Sequence, residues 1–189
     1  MRKVIVTEFV SLDGIMEDPG GAESYKYGGW SMPYDTGMYK FDELFASDAQ
    51  LLGRVTYQGF SKAWPTMEGT GEFGERMNSM PKYVVSTTLK ESELKWNNSH
   101  LIKGNLVGEV SRLKQQPGQD ILVAGSARLV QSLVKQDLVD EYHLLVYPLV
   151  LGSGKRLFAD VDKATLKLIE AKPLDSGVVL FIYQPDRKA

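Results

Sequence analysis

The sequence contains no cysteine and only two histidines among its 189 residues. Without cysteine the chain can form no disulfide and offers no thiolate nucleophile or thiolate metal ligand. His100 and His143 are far apart in sequence and have no Asp at ligand spacing, so we expect no metal site. The absence of cysteine also fits a protein of the cytoplasm, which is the location we expect.

The chain also lacks an excess of one charge and a long apolar run. It has 22 Lys and Arg residues against 24 Asp and Glu residues, without a basic cluster, which argues against a nucleic-acid or membrane surface. The apolar stretch near the N-terminus is too short for a signal peptide, and no stretch could span a bilayer. Hydrophobic residues make up 43% of the chain, so we expect residues 1–189 to form a single globular domain.

The sequence does contain alternating strand and helix patterns. Apolar runs predict strands at 4–9, 50–53, 82–87, 120–125, 141–150, 165–171 and 178–184. Apolar residues at helical spacing predict helices at 34–45, 55–63, 106–114 and 127–136. This order predicts a three-layer α/β fold, with a mostly parallel central sheet, helices on both faces and an antiparallel C-terminal hairpin.

Three predicted strands end in residues suited to phosphate binding. The turn Gly125-Ser126-Ala127 leads into a helix, whose first N–H groups can bind an anion. The strand 50–53 ends at Gly53 and is followed by Arg54, a bidentate donor, and by the hydroxyl of Thr56. The third strand end offers the hydroxyls of Ser86 and Thr87.

Each of these turns also has a purely structural explanation. Ser126 and Thr56 could cap helices, Arg54 could form a surface ion pair, and hydroxyl residues are common in turns. The three strand ends taken together favour an extended, phosphate-bearing cofactor. The sequence has neither the GxGxxG fingerprint nor a P-loop, so the usual dinucleotide and nucleoside-triphosphate motifs are absent.

Four segments carry a family resemblance. GGWSMPYDTGMYKF, LLGRVTYQGF, YVVSTTL and ILVAGSARLV resemble, in order and spacing, the dihydrofolate-reductase-like superfamily. Within it, SLDG at 11–14 and LVDEYHLLVYPLVLGSG at 138–154 are similar to the reductase domain of the bifunctional riboflavin-biosynthesis deaminase-reductase. The resemblance covers nearly the whole chain. The cysteine-rich deaminase half has no counterpart, so the chain resembles a stand-alone reductase domain.

The resemblance implies a dihydrofolate-reductase-like fold, NADPH as hydride donor and a homodimer whose seam is formed by the C-terminal strands. It assigns Arg54 and Thr56 to the cofactor phosphates, beside Gly53. It further implies that Ser86 and Thr87 lie near the adenosine 2′-phosphate and that Gly125, Ser126 and Ala127 face the pyrophosphate. Folate reductases join paired glycines here by a cis peptide. A cis bond without proline costs about 3 kcal/mol, so we do not carry it over to Gly125-Ser126.

Reduction of a ring also requires a proton, which a buried carboxyl of raised pKa can supply. Asp35 is the first candidate, because WSMPYD resembles the stretch that precedes the catalytic acid of folate reductases. We expect Asp35 in the first turn of a helix, where stabilisation by the helix dipole is the alternative role. Asp13 is the second candidate, although an Asp-Gly turn is common. Trp30 is expected to line the substrate cleft.

Three functions remain open. The preferred one is an NADPH-dependent reductase of a small heterocyclic substrate, resembling the phosphoribosylamino-uracil reductase of riboflavin biosynthesis. The second is a dihydrofolate or pterin reductase, which Asp35 and the segment GRVTY favour. The third is a nucleotide-binding protein without turnover.

Overall fold

The computed structural model, which describes residues 1–187, is built around one eight-stranded sheet. The strands are β1 (Val4–Ser11), β2 (Ser47–Gly53), β3 (Lys82–Val85), β4 (Ser99–Ile102), β5 (Asp120–Val123), β6 (Glu141–Tyr147), β7 (Leu166–Pro173) and β8 (Val179–Pro185). The helices are α1 (Tyr39–Phe45), α2 (Arg54–Ala63), α3 (Gly71–Ser79), α4 (Leu106–Gln115) and α5 (Ala127–Lys135).

The sheet has the order β4-β3-β2-β5-β1-β6-β8-β7. All pairs from β4 to β6 are parallel, and β8 pairs antiparallel with both β6 and β7. The mostly parallel sheet with an antiparallel C-terminal hairpin is therefore confirmed. Among residues 1–187, no helix has the length and apolar character needed to cross a membrane.

Helices cover both faces of the sheet, as predicted. On one face, Leu113 of α4 and Val130 and Leu133 of α5 are completely buried against the central strands. On the other face, Tyr57 of α2 and Met77 of α3 pack against the sheet together with α1. β1 is buried along almost its full length because it lies in the middle of a sheet covered on both sides.

One predicted helix needs correction, and one helix was missed. The helix expected from residue 34 begins at Tyr39, because Gly37 has a positive φ of 56° that a helix does not accept. Asp35 therefore lies outside the helix rather than in its first turn. The helix α3 was not predicted, since its sequence GEFGERMNS contains two glycines and offers only Phe73 and Met77 as apolar residues at helical spacing.

The burial of α5 leads to a prediction for stability. Leu133→Ala removes a completely buried side chain from the core and should lower the free energy of unfolding by about 2–5 kcal/mol. Chemical denaturation followed by circular dichroism measures this loss. Val107→Ala on α4, where the side chain is 43% exposed, is the matched control and should cost less than about 1 kcal/mol. Equal losses for both variants would contradict the buried position of α5.

Candidate active site

The carboxyl ends of β2 and β5 meet at the point where the sheet changes its winding direction. The two strands are neighbours, but α2 follows β2 onto one face and α5 follows β5 onto the other. The amide of Gly53 donates to the carbonyl of Gly125 at 3.1 Å, which holds the two strand ends together. Ligands of open α/β sheets bind at such a crevice.

The two strand ends approach so closely that side chains larger than hydrogen do not fit. A Cβ atom at Gly53 would overlap the Ser126 hydroxyl, and a Cβ atom at Gly125 would come within 2.6 Å of Thr56 Oγ1. Gly125 also has a φ of 95°, which disfavours any other residue. The structure thus brings Gly53, Thr56, Gly125 and Ser126 together, and their assignment to one cofactor site stays a prediction. The peptide bond between Gly125 and Ser126 is cis, a point that the sequence left open.

The donors around this crevice are suited to an anion. Ser126 occupies the N-cap position of α5 but its side chain makes no capping hydrogen bond, and α2 starts after Gly53, which has no side chain to cap it. The first amides of both helices are therefore not occupied by a capping side chain. Arg54 is exposed at the first position of α2, where its Nη1 donates to Gln58 Oε1 at 3.2 Å. Helix N-termini with a nearby Arg are typical of phosphate sites.

The end of β3 has a different character. Ser86 is buried, and its Oγ accepts the amides of Thr88 at 3.2 Å and Leu89 at 3.0 Å. Its hydroxyl therefore shapes the turn after β3. Thr87 is exposed beside it. Of the two residues predicted here, Thr87 has the side chain that a ligand can reach.

A buried carboxyl that the sequence analysis missed lies next to the crevice. Glu8 is only 7% exposed, its Oε1 has no hydrogen-bond partner among residues 1–187, and its carboxyl lies close to the backbone amide of Gly125. Burial raises the pKa of Glu8 to about 8, and the charge of Glu43 adds to this, although Lys40 and the Gly125 amide oppose it. An acidic residue inside the apolar strand VIVTEFV was the available signal.

A second buried carboxyl, Glu43, lies on α1 in an ionic environment. Its carboxylate accepts hydrogen bonds from Thr7 at 2.8 Å and Tyr39 at 3.1 Å, pairs with Lys40, and lies 2.8 Å from His143 Nδ1. Burial alone would raise the pKa of Glu43, but Lys40 and the hydrogen bond from His143 outweigh it and hold the pKa below its usual value. At neutral pH the carboxyl of Glu43 is therefore ionised, whereas that of Glu8 is protonated.

Comparisons with known proteins identify the family. The family model for the RibD C-terminal domain matches residues 2–180. The uncharacterised Bacillus subtilis (strain 168) protein YyaP is 34% identical over 186 residues, which cover 96% of this chain and 94% of YyaP. The chain belongs to the RibD C-terminal domain family. The sequence resemblance implied this family. Membership in it supports the prediction that the protein is a reductase.

Solved structures share the fold of this RibD C-terminal domain. A protein from Shewanella sp. PV-4, provisionally described as a riboflavin biosynthesis protein, has a TM-score of 0.78 at 22% identity and covers 98% of this chain and 99% of its own. Dihydrofolate reductase from Enterococcus faecalis, complexed with NADP(H), has a TM-score of 0.63 at 12% identity, with coverage of 97% and 96%. The dihydrofolate-reductase-like fold is therefore confirmed.

Asp13 holds two loops of the RibD C-terminal domain together. Its carboxylate accepts from the Ser11 hydroxyl at 2.6 Å and from the amides of Leu151 at 3.1 Å and Gly152 at 2.8 Å. These hydrogen bonds, that of Ser11 first, lower the pKa of Asp13 to about 2. An acid this strong is ionised at neutral pH, so the geometry favours a structural role over proton donation.

Asp35 and Trp30 are also engaged in local structure. Asp35 is exposed, and its Oδ1 accepts the amide of Gly37 at 2.7 Å. The indole of Trp30 is buried, donates to the carbonyl of Glu17 at 2.7 Å and packs edge-to-face on Tyr147 with ring centroids 5.1 Å apart. The assignments of Asp35 to catalysis and of Trp30 to substrate binding stay predictions. The structure shows Asp35 in a local turn and Trp30 in local packing.

The pKa of Glu8 generates a stability prediction. From pH 5 up to a pKa of about 8 this carboxyl stays mostly protonated in the folded protein but ionises when the chain unfolds, so stability falls as the pH rises. Glu8→Gln should remove this loss. Its free energy of unfolding, relative to that of the native protein, should increase by on the order of 2–4 kcal/mol as the pH rises from 5 to 8. Urea denaturation at several pH values tests it. Glu75→Gln, an exposed change on α3, should follow the native pH profile. Parallel profiles for the native protein and Glu8→Gln would contradict the buried neutral state.

Proposed function

We propose that the protein is an NADPH-dependent reductase of a small heterocyclic substrate, a ribosylamino-pyrimidine or a related ring. The observation that carries this is the crevice between β2 and β5, where two helix N-termini without capping side chains meet around Gly53 and Gly125. Membership in the RibD C-terminal domain family supports the reaction class. The shared fold with a dihydrofolate reductase complexed with NADP(H) supports the cofactor class.

The crevice fits the diphosphate part of a dinucleotide. The amides at Gly125, Ser126 and Ala127 and the hydroxyl of Ser126 are proposed to bind the pyrophosphate from the α5 side. Thr56 and the first amides of α2 are proposed to bind it from the other side, because Thr56 lies directly against Gly125. Bound nicotinamide would supply the hydride.

Arg54 and Thr87 are proposed to select the phosphorylated cofactor. Both side chains are exposed at neighbouring strand ends, since β2 pairs with β3 up to Gly53 and Val85. A guanidinium forms bidentate hydrogen bonds with a phosphate, and a hydroxyl adds a donor. Ser86 supports Thr87 by holding the turn. The 2′-phosphate of NADPH is therefore expected at this edge of the crevice.

A fluorescence titration with NADPH and NADH tests the proposed function first. Tryptophan quenching and energy transfer to the nicotinamide report binding, and tighter binding of NADPH is the expected result. A subsequent screen of pyrimidines and pteridines for NADPH oxidation should find turnover with a pyrimidine. Absence of binding at millimolar cofactor would overturn the proposal. Binding without turnover on any ring would favour a nucleotide-binding protein.

Arg54→Ala tests the selection of the phosphate. We expect NADPH affinity to fall at least tenfold and NADH affinity to change less than twofold, because only NADPH carries the additional phosphate. The same fluorescence titration measures both constants. Arg112→Ala is the matched control, since Arg112 is on α4 and pairs with Glu109 at 2.7 Å. Equal losses for both cofactors would assign Arg54 to the pyrophosphate or exclude it from the site.

We also propose a homodimer in which the C-terminal hairpin forms the seam. β7 is an edge strand of the sheet, and its Leu168 and Ile169 are 50% and 47% exposed. An edge strand that exposes apolar side chains of this kind can pair with another chain. Light scattering should give twice the chain mass for the native protein and the chain mass for Ile169→Lys. A native monomer would contradict the dimer.

A further inference from the structure

Glu8 occupies a position that its side chain alone does not explain. Val6 of β1 pairs with Val123, the last residue of β5, so β1 continues past the end of β5 and Glu8 comes level with Gly125. On its other side, Glu8 pairs with Leu144 of β6. The carboxyl therefore lies next to the turn that begins α5, close to the Gly125 amide, and its Oε1 is buried without a hydrogen-bond partner among the described residues. Buried polar atoms without partners are rare in native proteins.

The charges around this carboxyl come from one helix. Lys40 and Glu43 of α1 are the charged groups that act on Glu8. Leu144 is the apolar neighbour on β6, and the turn residues Gly125, Ser126 and Ala127 carry no titratable group. Lys40 forms an ion pair with Glu43, and its Nζ donates a hydrogen bond to Thr7 Oγ1 at 2.6 Å. Glu8 thus has no ion-pair partner of its own among the described residues.

We propose that Glu8 is a positioning residue that must be neutral for the Gly125-Ser126 turn to accept a cofactor phosphate, so that dinucleotide binding is coupled to protonation of this carboxyl. The inference rests on the proposed function and assigns a role to a residue outside the predicted site. A neutral carboxyl leaves the turn amides available to a phosphate. An ionised carboxyl would compete for the Gly125 amide and would place a negative charge next to the incoming one.

This coupling has a measurable consequence. Below the pKa of Glu8, about 8 in the free protein, the carboxyl is already neutral and affinity should not depend on its titration. Above that pH, each dinucleotide that binds must also take up a proton. Affinity should then fall by up to tenfold for each pH unit.

The dissociation constant of NADH between pH 7 and 9.5 tests the proposal. NADH is the main probe because it lacks the 2′-phosphate, whose own ionisation would complicate the profile, and NADPH serves as the second probe. The native protein should bind NADH at least tenfold more weakly at pH 9.5 than at pH 7. Glu8→Gln, which is always neutral, should still bind NADH at pH 7, and its affinity should change less than twofold over the range. Glu75→Gln is the control and should keep the native profile.

Proton uptake provides a readout that a purely structural role would not change. In weak buffer at pH 9 with an indicator dye, the native protein should take up most of one proton for each NADH bound, and Glu8→Gln should take up none. If Glu8→Gln does not fold, Glu8→Leu replaces it, since it is equally unable to ionise, and the native uptake is still measured.

Four outcomes are decisive. A native affinity that is independent of pH, or a pH profile that persists in Glu8→Gln, would overturn the coupling while leaving the proposed function intact. Binding that is lost in Glu8→Gln at pH 7 would also overturn it, because neutrality would then not suffice. Absence of NADH and NADPH binding at every pH would overturn the proposed function and this inference together.

Discussion

The approach of the β2 and β5 ends is the contact on which the site depends. The amide of Gly53 bonds to the carbonyl of Gly125, and neither residue leaves space for a side chain between the two strands. Because α2 and α5 then leave in opposite directions, their N-terminal amides converge on one crevice from both faces of the sheet. Any larger residue at this contact would separate the two helix ends and disperse their donors.

The burial of titratable side chains is the second constraint on this fold. Three such side chains are stabilised in three different ways. Glu43 keeps its charge because Lys40 and His143 compensate for burial, whereas Glu8 without such a partner is neutral. Lys82 is completely buried, donates to the Asn97 carbonyl at 3.1 Å and lies 4.2 Å from the Trp96 ring centroid. Burial lowers the pKa of Lys82 to about 8. The environment, rather than residue type, therefore decides which groups are ionised.

Sequence patterns predicted the sheet and the strand ends because both depend on local composition. Apolar runs and small residues determine where a strand can be buried and where two backbones can approach, so Gly53 and Gly125 were found. The position of Asp35 outside α1 was not predicted, because it depends on the φ of Gly37. The helix α3 was not predicted either, because it depends on the tertiary packing of Met77. The sequence shows Glu8 as an acidic residue in an apolar strand. Its role could not be predicted, because that role depends on the Gly125 turn, which is distant in sequence and adjacent only in the fold.

The long loop between β1 and α1 is ordered by the same kind of distant contact. Asp13 binds the amides of Leu151 and Gly152, and the amide of Met16 donates to the carbonyl of Lys155 at 2.9 Å. The indole of Trp30 then fixes the middle of the loop at the carbonyl of Glu17. The contacts of Asp13 and Met16 tie the loop to the segment after β6, on the side of β1 away from β5. Since each anchor is a hydrogen bond to backbone, the loop can vary in sequence between these points while its path is kept. The residues between these anchors can therefore change without disturbing the crevice between β2 and β5.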